Sequence, residues 1–149
     1  MYKYVLGVIF LVLTLPASAD NGLVKIKSAN DVTTTSNKLV KALKSKGMTV
    51  FDVIDHAKGA AGVGIELPPT TLVIFGNPKV GTLLMKCSRT AAIDLPQKML
   101  IWSDESGQTW LAYNDPVYMA KRHGISACGE VIKKITGVLG KFSSVATAP

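Results

Sequence analysis

The sequence has few of the residues that most often carry catalysis or bind metal ions. Its 149 residues include two cysteines and two histidines. No C-x-x-C spacing occurs, which disfavours thioredoxin-like redox chemistry, and neither an H-E-x-x-H motif nor the Cys/His spacing of zinc sites is present. A G-x-S-x-G nucleophile elbow is also missing. The sequence therefore predicts neither a bound metal nor a cofactor, and it favours a binding module over an enzyme.

Positive charge exceeds negative charge but is not clustered. The chain has 17 Lys and Arg against 10 Asp and Glu, without a basic run of the length expected for a nucleic-acid patch, so we expect no nucleic-acid partner. Several lysines recur on one face of two predicted helices: Lys38, Lys41, Lys44, Lys133, Lys134 and Lys141. Solvated helix faces are the simpler interpretation. The alternative is an anionic partner such as an envelope lipid or a polyanion.

Residues 1–19 have the pattern of a secretory signal. Lys3 precedes an apolar run, and Ala17-Ser18-Ala19 fits the small-residue cleavage rule. The run is short for a membrane span, although an uncleaved anchor is the alternative. We therefore expect a periplasmic or secreted protein that has no stable membrane span after signal removal. In such an oxidising compartment Cys87 and Cys128 can form one disulfide; otherwise they are two buried thiols.

The stretch from Thr71 to Met85 contains the clearest local signals. Thr71–Phe75 is a β-branched and aromatic run typical of a buried strand. Gly76 ends it, and Asn77-Pro78 predicts a helix with Asn as N-cap and Pro in its first turn. The sequence thus places a strand–helix junction, and a candidate site, at this corner.

The remaining elements are predicted from periodicity and turn residues. Asp115-Pro116 repeats the Asn77-Pro78 pattern, and Gly47 fits the left-handed position after a helix. The expected elements are strands at 23–27, 48–55, 97–103 and 108–114, with 48–55 antiparallel to 71–75, and helices at 30–46, capped by Ser28, from Pro116 to His123, and from Ser126 to Gly140. Residues 143–149 are expected to form a frayed, flexible tail. This order predicts a single α+β domain over residues 20–142, with helices on one face of an antiparallel sheet.

The chain resembles the DUF302 family, a domain of unknown function. The matching residues follow one another in order through most of the chain. They are Asp55-His56, residues 67–72, Phe75-Gly76-Asn77-Pro78, Gly81-Thr82, Leu84-Met85, Asp94-Leu95-Pro96, Trp102, Trp110, residues 113–116 and Arg122-His123-Gly124. The resemblance implies a TBP-like α+β fold with a curved antiparallel sheet, and it points to a homodimer. It implies no established activity, and Cys87 and Cys128 lie outside the family pattern.

The candidate ligand-binding residues lie at the ends of predicted elements: His56, Asn77, Tyr113, Asn114 and His123. The two Asn-containing corners begin helices, whose free N–H groups can hold an anion, although simple capping also explains them. The histidines could bind a ligand or cap helix ends. We therefore expect a non-catalytic envelope module that binds a small molecule or a protein. The alternative is a His-dependent enzyme or a soft-metal (copper) protein, which requires His56 and His123 to face one cleft.

Overall fold

The computed structural model describes residues 21–149, so the expected signal at residues 1–19 lies outside the described part. The five strands are β1 (Leu23–Lys27), β2 (Thr49–Asp55), β3 (Thr70–Gly76), β4 (Gln97–Ser103) and β5 (Thr109–Asn114). The five α-helices are α1 (Val32–Ser45), α2 (His56–Ala61), α3 (Pro78–Cys87), α4 (Pro116–Arg122) and α5 (Gly129–Thr147), and a 3₁₀ turn spans Arg89–Ile93. None of these helices is long and apolar enough to cross a membrane.

The strands form one antiparallel sheet in the order β1-β5-β4-β3-β2. The expected antiparallel pairing of β2 with β3 is confirmed, as is the β4–β5 hairpin. Because β3 and β5 both run antiparallel to β4, they end at the same end of the sheet. Strand β2 runs opposite to β3 and ends at the other end. This topology decides which of the predicted corners can meet.

The core lies between one face of the sheet and the helices. Val73, Met99 and Tyr113 are register partners on the inward face, and each is buried. Helix α1 packs against β2, β3 and β4, while α5 packs beside α1 and against β1. Alternation along the strands therefore buries one face, as a half-covered antiparallel sheet requires. The expected α+β class, with helices on one face of the sheet, is confirmed.

Two helix starts differ from the sequence-based expectation. Asp31, not Ser28, caps α1, because its carboxylate accepts from Thr34 N at 2.6 Å. The Ser28 hydroxyl is instead paired with Thr35 Oγ1 at 2.7 Å inside the fold. Helix α5 begins after Cys128, which makes no side-chain capping hydrogen bond, so Ser126 does not cap it.

The expected frayed tail at residues 143–149 is not found, because α5 continues to Thr147. Ser143 and Ala146 are fully buried, extending the apolar stripe of Leu139 and Phe142. The carbonyl of Thr147 also accepts from Ala29 N at 3.0 Å. The small side chains of Ser143 and Ala146, which suggested a flexible tail in the sequence, are buried in the last turns of α5.

The β4–β5 turn is organised by Asp104. Its Oδ1 accepts from the backbone N–H groups of Ser106 and Gln108, each at 3.0 Å, and its Oδ2 accepts from Trp110 Nε1 at 2.7 Å. The Ser106 hydroxyl and then the Trp110 indole, by hydrogen bonding to the carboxylate, hold the pKa of Asp104 at about 2 instead of 3.8. The turn therefore depends on a charged carboxylate.

Candidate functional site

A cavity of about 1110 Å³ lies on the helix side of the sheet, at the end where β3 stops. It is bordered by the second half of α1, the start of β2, helix α3 and α5 from Lys134 to Val145, and it is open to solvent on one side. Pockets for small molecules typically measure roughly 300–1,000 Å³. The cavity is therefore large enough for a ligand of several hundred daltons.

The base of the cavity is apolar and well buried. Phe75, Leu139 and Phe142 line it and are at most 6% exposed. The rings of Phe75 and Phe142 meet edge to face, with centroids 6.3 Å apart and an interplanar angle of 79°. Met48, which precedes β2, and Met85 of α3 add flexible apolar surface. A hydrocarbon group can therefore be buried here without losing hydrogen bonds to water.

Lysines from two helices surround the same cavity. They are Lys38, Lys41 and Lys46 of the α1 region and Lys134 and Lys141 of α5, and no Asp or Glu is among the lining residues. All but Lys38 are exposed, which places them at the solvent side. Of the six lysines that the sequence places on two helix faces, four therefore lie around the same cavity: Lys38, Lys41, Lys134 and Lys141.

Gln97 adds an unpaired polar group to the cavity wall. Its Nε2 is buried, and it is the one buried side-chain nitrogen or oxygen in residues 21–149 without a hydrogen-bond partner. Gln97 is the register partner of Phe75 and lines the cavity beside it. Such a group costs folding free energy, so its presence calls for an explanation.

Helix α3 forms one wall and is fixed at both ends. At its start, Asn77 Oδ1 accepts from Lys79 N at 3.0 Å, so Asn77 caps the helix as the sequence predicts. At its end, Cys87 is joined to Cys128 by a disulfide whose Cα atoms are 6.4 Å apart, within the usual range. The disulfide therefore ties the end of α3 to the start of α5, another wall of the cavity.

Asn114 lies at a different, smaller cavity. That space of about 190 Å³ is polar and is lined by Asp94, Arg122 and Asn114 among others. The Asn77 and Asn114 corners thus lie at the same end of the sheet, as the parallel directions of β3 and β5 require, but they do not share a site. Asp115 caps α4 by accepting from Val117 N at 2.9 Å.

His123 belongs to a hydrogen-bonded cluster that joins α4 to the 3₁₀ turn. Its Nε2 is 2.6 Å from Asp94 Oδ2 and its Nδ1 is 3.0 Å from Thr90 Oγ1. Arg122 Nη1 also pairs with Asp94, at 3.1 Å. The order hydroxyl, imidazole, carboxylate has the connectivity of a catalytic triad. Neither Thr90 nor His123 lines the two cavities described above, and the cluster connects the end of α4 to the 3₁₀ turn.

The two histidines do not converge. His56 is exposed at the start of α2, directly after β2 ends, whereas His123 follows the corner at the end of β5. Strands β2 and β5 end at opposite ends of the sheet, so the shared cleft required for a two-histidine enzyme or copper site does not form. Among residues 21–149 no group of three His, Cys, Asp or Glu side chains could hold a metal ion.

Tyr113 is a core residue. It is 6% exposed and lies on the inward face of β5, opposite Met99. Burial raises the pKa of its phenol, and a hydrogen bond with the Ser143 side chain partly offsets that effect. Strand alternation therefore points Tyr113 into the core, and it lines neither cavity. Of the five candidates, Asn77 alone lines the large cavity.

Comparisons with known proteins place the fold. The model of "Domain of unknown function DUF302" matches residues 24–142. A solved structure, the uncharacterized conserved protein DUF302 from Bacillus stearothermophilus, superposes with a TM-score of 0.76 and 16% identity, covering 85% of this chain and 98% of that one. At this identity the likeness concerns the fold alone.

Curated relatives match only in part. The chain is 43% identical over 129 residues to proteins named "Fluoride-specific ion channel FluC 1" from Brucella suis and Brucella abortus. The match covers 84% of this chain and 51% and 48% of those proteins. The chain therefore spans about half the length of these relatives.

Proposed function

We propose that this chain, which belongs to the DUF302 family, is a module that binds a small amphipathic molecule. The family is defined by a domain of unknown function, so the proposal rests on the chain's own cavity. The large apolar cavity is the observation that carries this proposal. Burial of apolar surface contributes roughly 25 cal/mol per Å² of area removed from water, so the hydrocarbon part of a ligand supplies most of the affinity.

Fluoride, the ion in the name of the Brucella relatives, does not fit this cavity as a ligand. A fluoride ion is a small charged group, and transferring it from water to a mainly apolar space is costly without close partners. We therefore do not propose fluoride binding for this chain.

Export to the cell envelope is part of the proposal. The signal-like pattern of residues 1–19 and the Cys87–Cys128 pair, which an oxidising compartment permits, both support it. The intact mass of protein recovered from a periplasmic extract should correspond to a chain that begins at Asp20. Recovery only in the cytoplasm, with residues 1–19 still present, would contradict export. The homodimer also stays a prediction, and light scattering of the purified protein tests it.

The cavity itself can be tested with Nile red, a neutral dye whose emission rises in apolar sites. Gly81 lines the cavity, and a Cβ there would meet Leu95 Cδ1 at an ordinary 3.8 Å, so a larger side chain enters the open space. We expect Gly81→Phe to abolish the rise in emission. Gly137→Phe is the matched control, because a Cβ at Gly137 meets nothing within 4 Å and Gly137 does not line the cavity. Equal dye binding by both variants would refute the proposed site.

A further inference from the structure

We propose that the ligand is a long-chain carboxylate, a single-chain anionic amphiphile of the fatty-acid class. This inference rests on the proposed function and adds the charge and shape of the ligand. The chain would lie against the buried aromatic base, and the carboxylate would lie among the lysines at the opening.

The distribution of polarity in the cavity matches that of such a molecule. Phe75, Leu139 and Phe142 at the base are buried, whereas Lys41 and Lys134 are exposed. One end of the cavity therefore excludes water and the other presents cations to it. A neutral hydrocarbon would use only the first of these features, and an inorganic anion only the second.

The lysines at the opening keep their charge unneutralised. In residues 21–149 no lysine forms a salt bridge; Arg122 pairs with Asp94, which does not line this cavity. Of the lysines at the opening, Lys38 is the exception, since its ammonium donates to the backbone oxygens of Ala148 and Pro149. Several like charges around one opening raise the local concentration of anions. The lysine ammonium is also a compact point charge that can approach a carboxylate from several directions.

Gln97 supplies a donor within the wall. Gln97 lines the cavity and its buried amide nitrogen has no partner, so a side-chain rotation on ligand binding would offer its N–H groups to an oxygen of the ligand. A group left unpaired in the free protein would then be satisfied in the complex. This favours a ligand with oxygen acceptors over a pure hydrocarbon.

Calorimetric titration with hexadecanoate and with its methyl ester tests the inference at concentrations below micelle formation. The two probes share the chain and differ in the charge. We expect hexadecanoate to bind at least tenfold more tightly, with an advantage that shrinks as ionic strength rises. Equal affinities would overturn the anionic ligand and leave the proposed function intact. Binding of neither probe would overturn both.

Paired lysine variants locate the charge effect. Lys41→Gln/Lys134→Gln removes two charges that line the cavity, and we expect roughly a three- to tenfold loss of affinity for hexadecanoate but not for the ester. Lys44→Gln/Lys133→Gln removes two exposed charges from the same helices outside the lining, with the same change in net charge. Equal losses from both pairs would show that net charge alone attracts the ligand and would overturn the site.

Discussion

Replacing Gln97 by methionine should stabilise the protein, because it removes a buried polar group that has no hydrogen-bond partner. A buried donor without a partner costs about 1–3 kcal/mol, and Gln97 Nε2 is such a donor in the free protein. Methionine has a similar length and no polar hydrogen, so it removes this cost without leaving a void. We expect Gln97→Met to raise the free energy of unfolding by about 1 kcal/mol, or Tm by about 4 °C.

Gln108 provides a matched control in the neighbouring strand connection. Its Nε2 donates to Ser28 O at 3.1 Å and to Thr109 O at 2.8 Å. Because each such bond contributes about 0.5–1.5 kcal/mol, Gln108→Met should lower the free energy of unfolding by about 1–2 kcal/mol. Urea unfolding of the two variants with the disulfide intact measures both effects.

The same substitution should therefore change stability in opposite directions at the two sites. Gln97→Met should also bind hexadecanoate more weakly than the wild type, because the ligand loses a donor. A decrease in stability at Gln97 as large as that at Gln108 would refute the reasoning, since it would show that the Gln97 amide already has a partner in the free protein.

Further predictions follow from the disulfide, the hairpin and the histidines. The Cys87–Cys128 disulfide closes a loop between residues 41 positions apart. Removing it with Cys87→Ala/Cys128→Ala should lower the free energy of unfolding, measured in urea, by roughly 4 kcal/mol, and no change would show free thiols. Because the pKa of Asp104 is lowered to about 2, its carboxylate contributes stability above pH 4 that is lost as pH falls toward 2, so the wild type should lose more than Asp104→Asn over that range; parallel urea midpoints would contradict this. His123→Ala should cost about 2 kcal/mol, since it breaks the contact with Asp94, whereas exposed His56→Ala should change stability by less than about 0.5 kcal/mol; equal effects in thermal melts would reject the assignment.

Local signals predict most of the fold. Asn77-Pro78 and Asp115-Pro116 mark helix starts because capping depends on residues within one turn, and both caps form as expected. The left-handed Gly47, with φ of 70°, and the β4–β5 hairpin likewise follow from short segments. The predicted end of α5 at Gly140 is wrong because glycine disfavours helices only weakly compared with the burial of Phe142 and Ala146.

The candidate site depends on contacts between distant residues. Lys41 and Lys134 belong to different helices, and their convergence follows from the packing of α1 beside α5. Nothing in the sequence pattern of β4 singles out Gln97. Only the surroundings of its side chain in the fold show that its amide nitrogen is unpaired. Asp94 and His123, which do appear in the family pattern, meet where the 3₁₀ turn and α4 end. The sequence alone could suggest the lysines and His123 as candidates, but it could not show which side chains meet.

The methyl signals of the methionines test the central claim most directly. Met48 and Met85 line the large cavity, whereas Met99 and Met119 are buried outside its lining. In protein labelled with ¹³C at the methionine methyl groups, titration with hexadecanoate should shift the signals of Met48 and Met85 and leave those of Met99 and Met119 in place. Unchanged spectra, or shifts confined to Met99 and Met119, would contradict binding in this cavity.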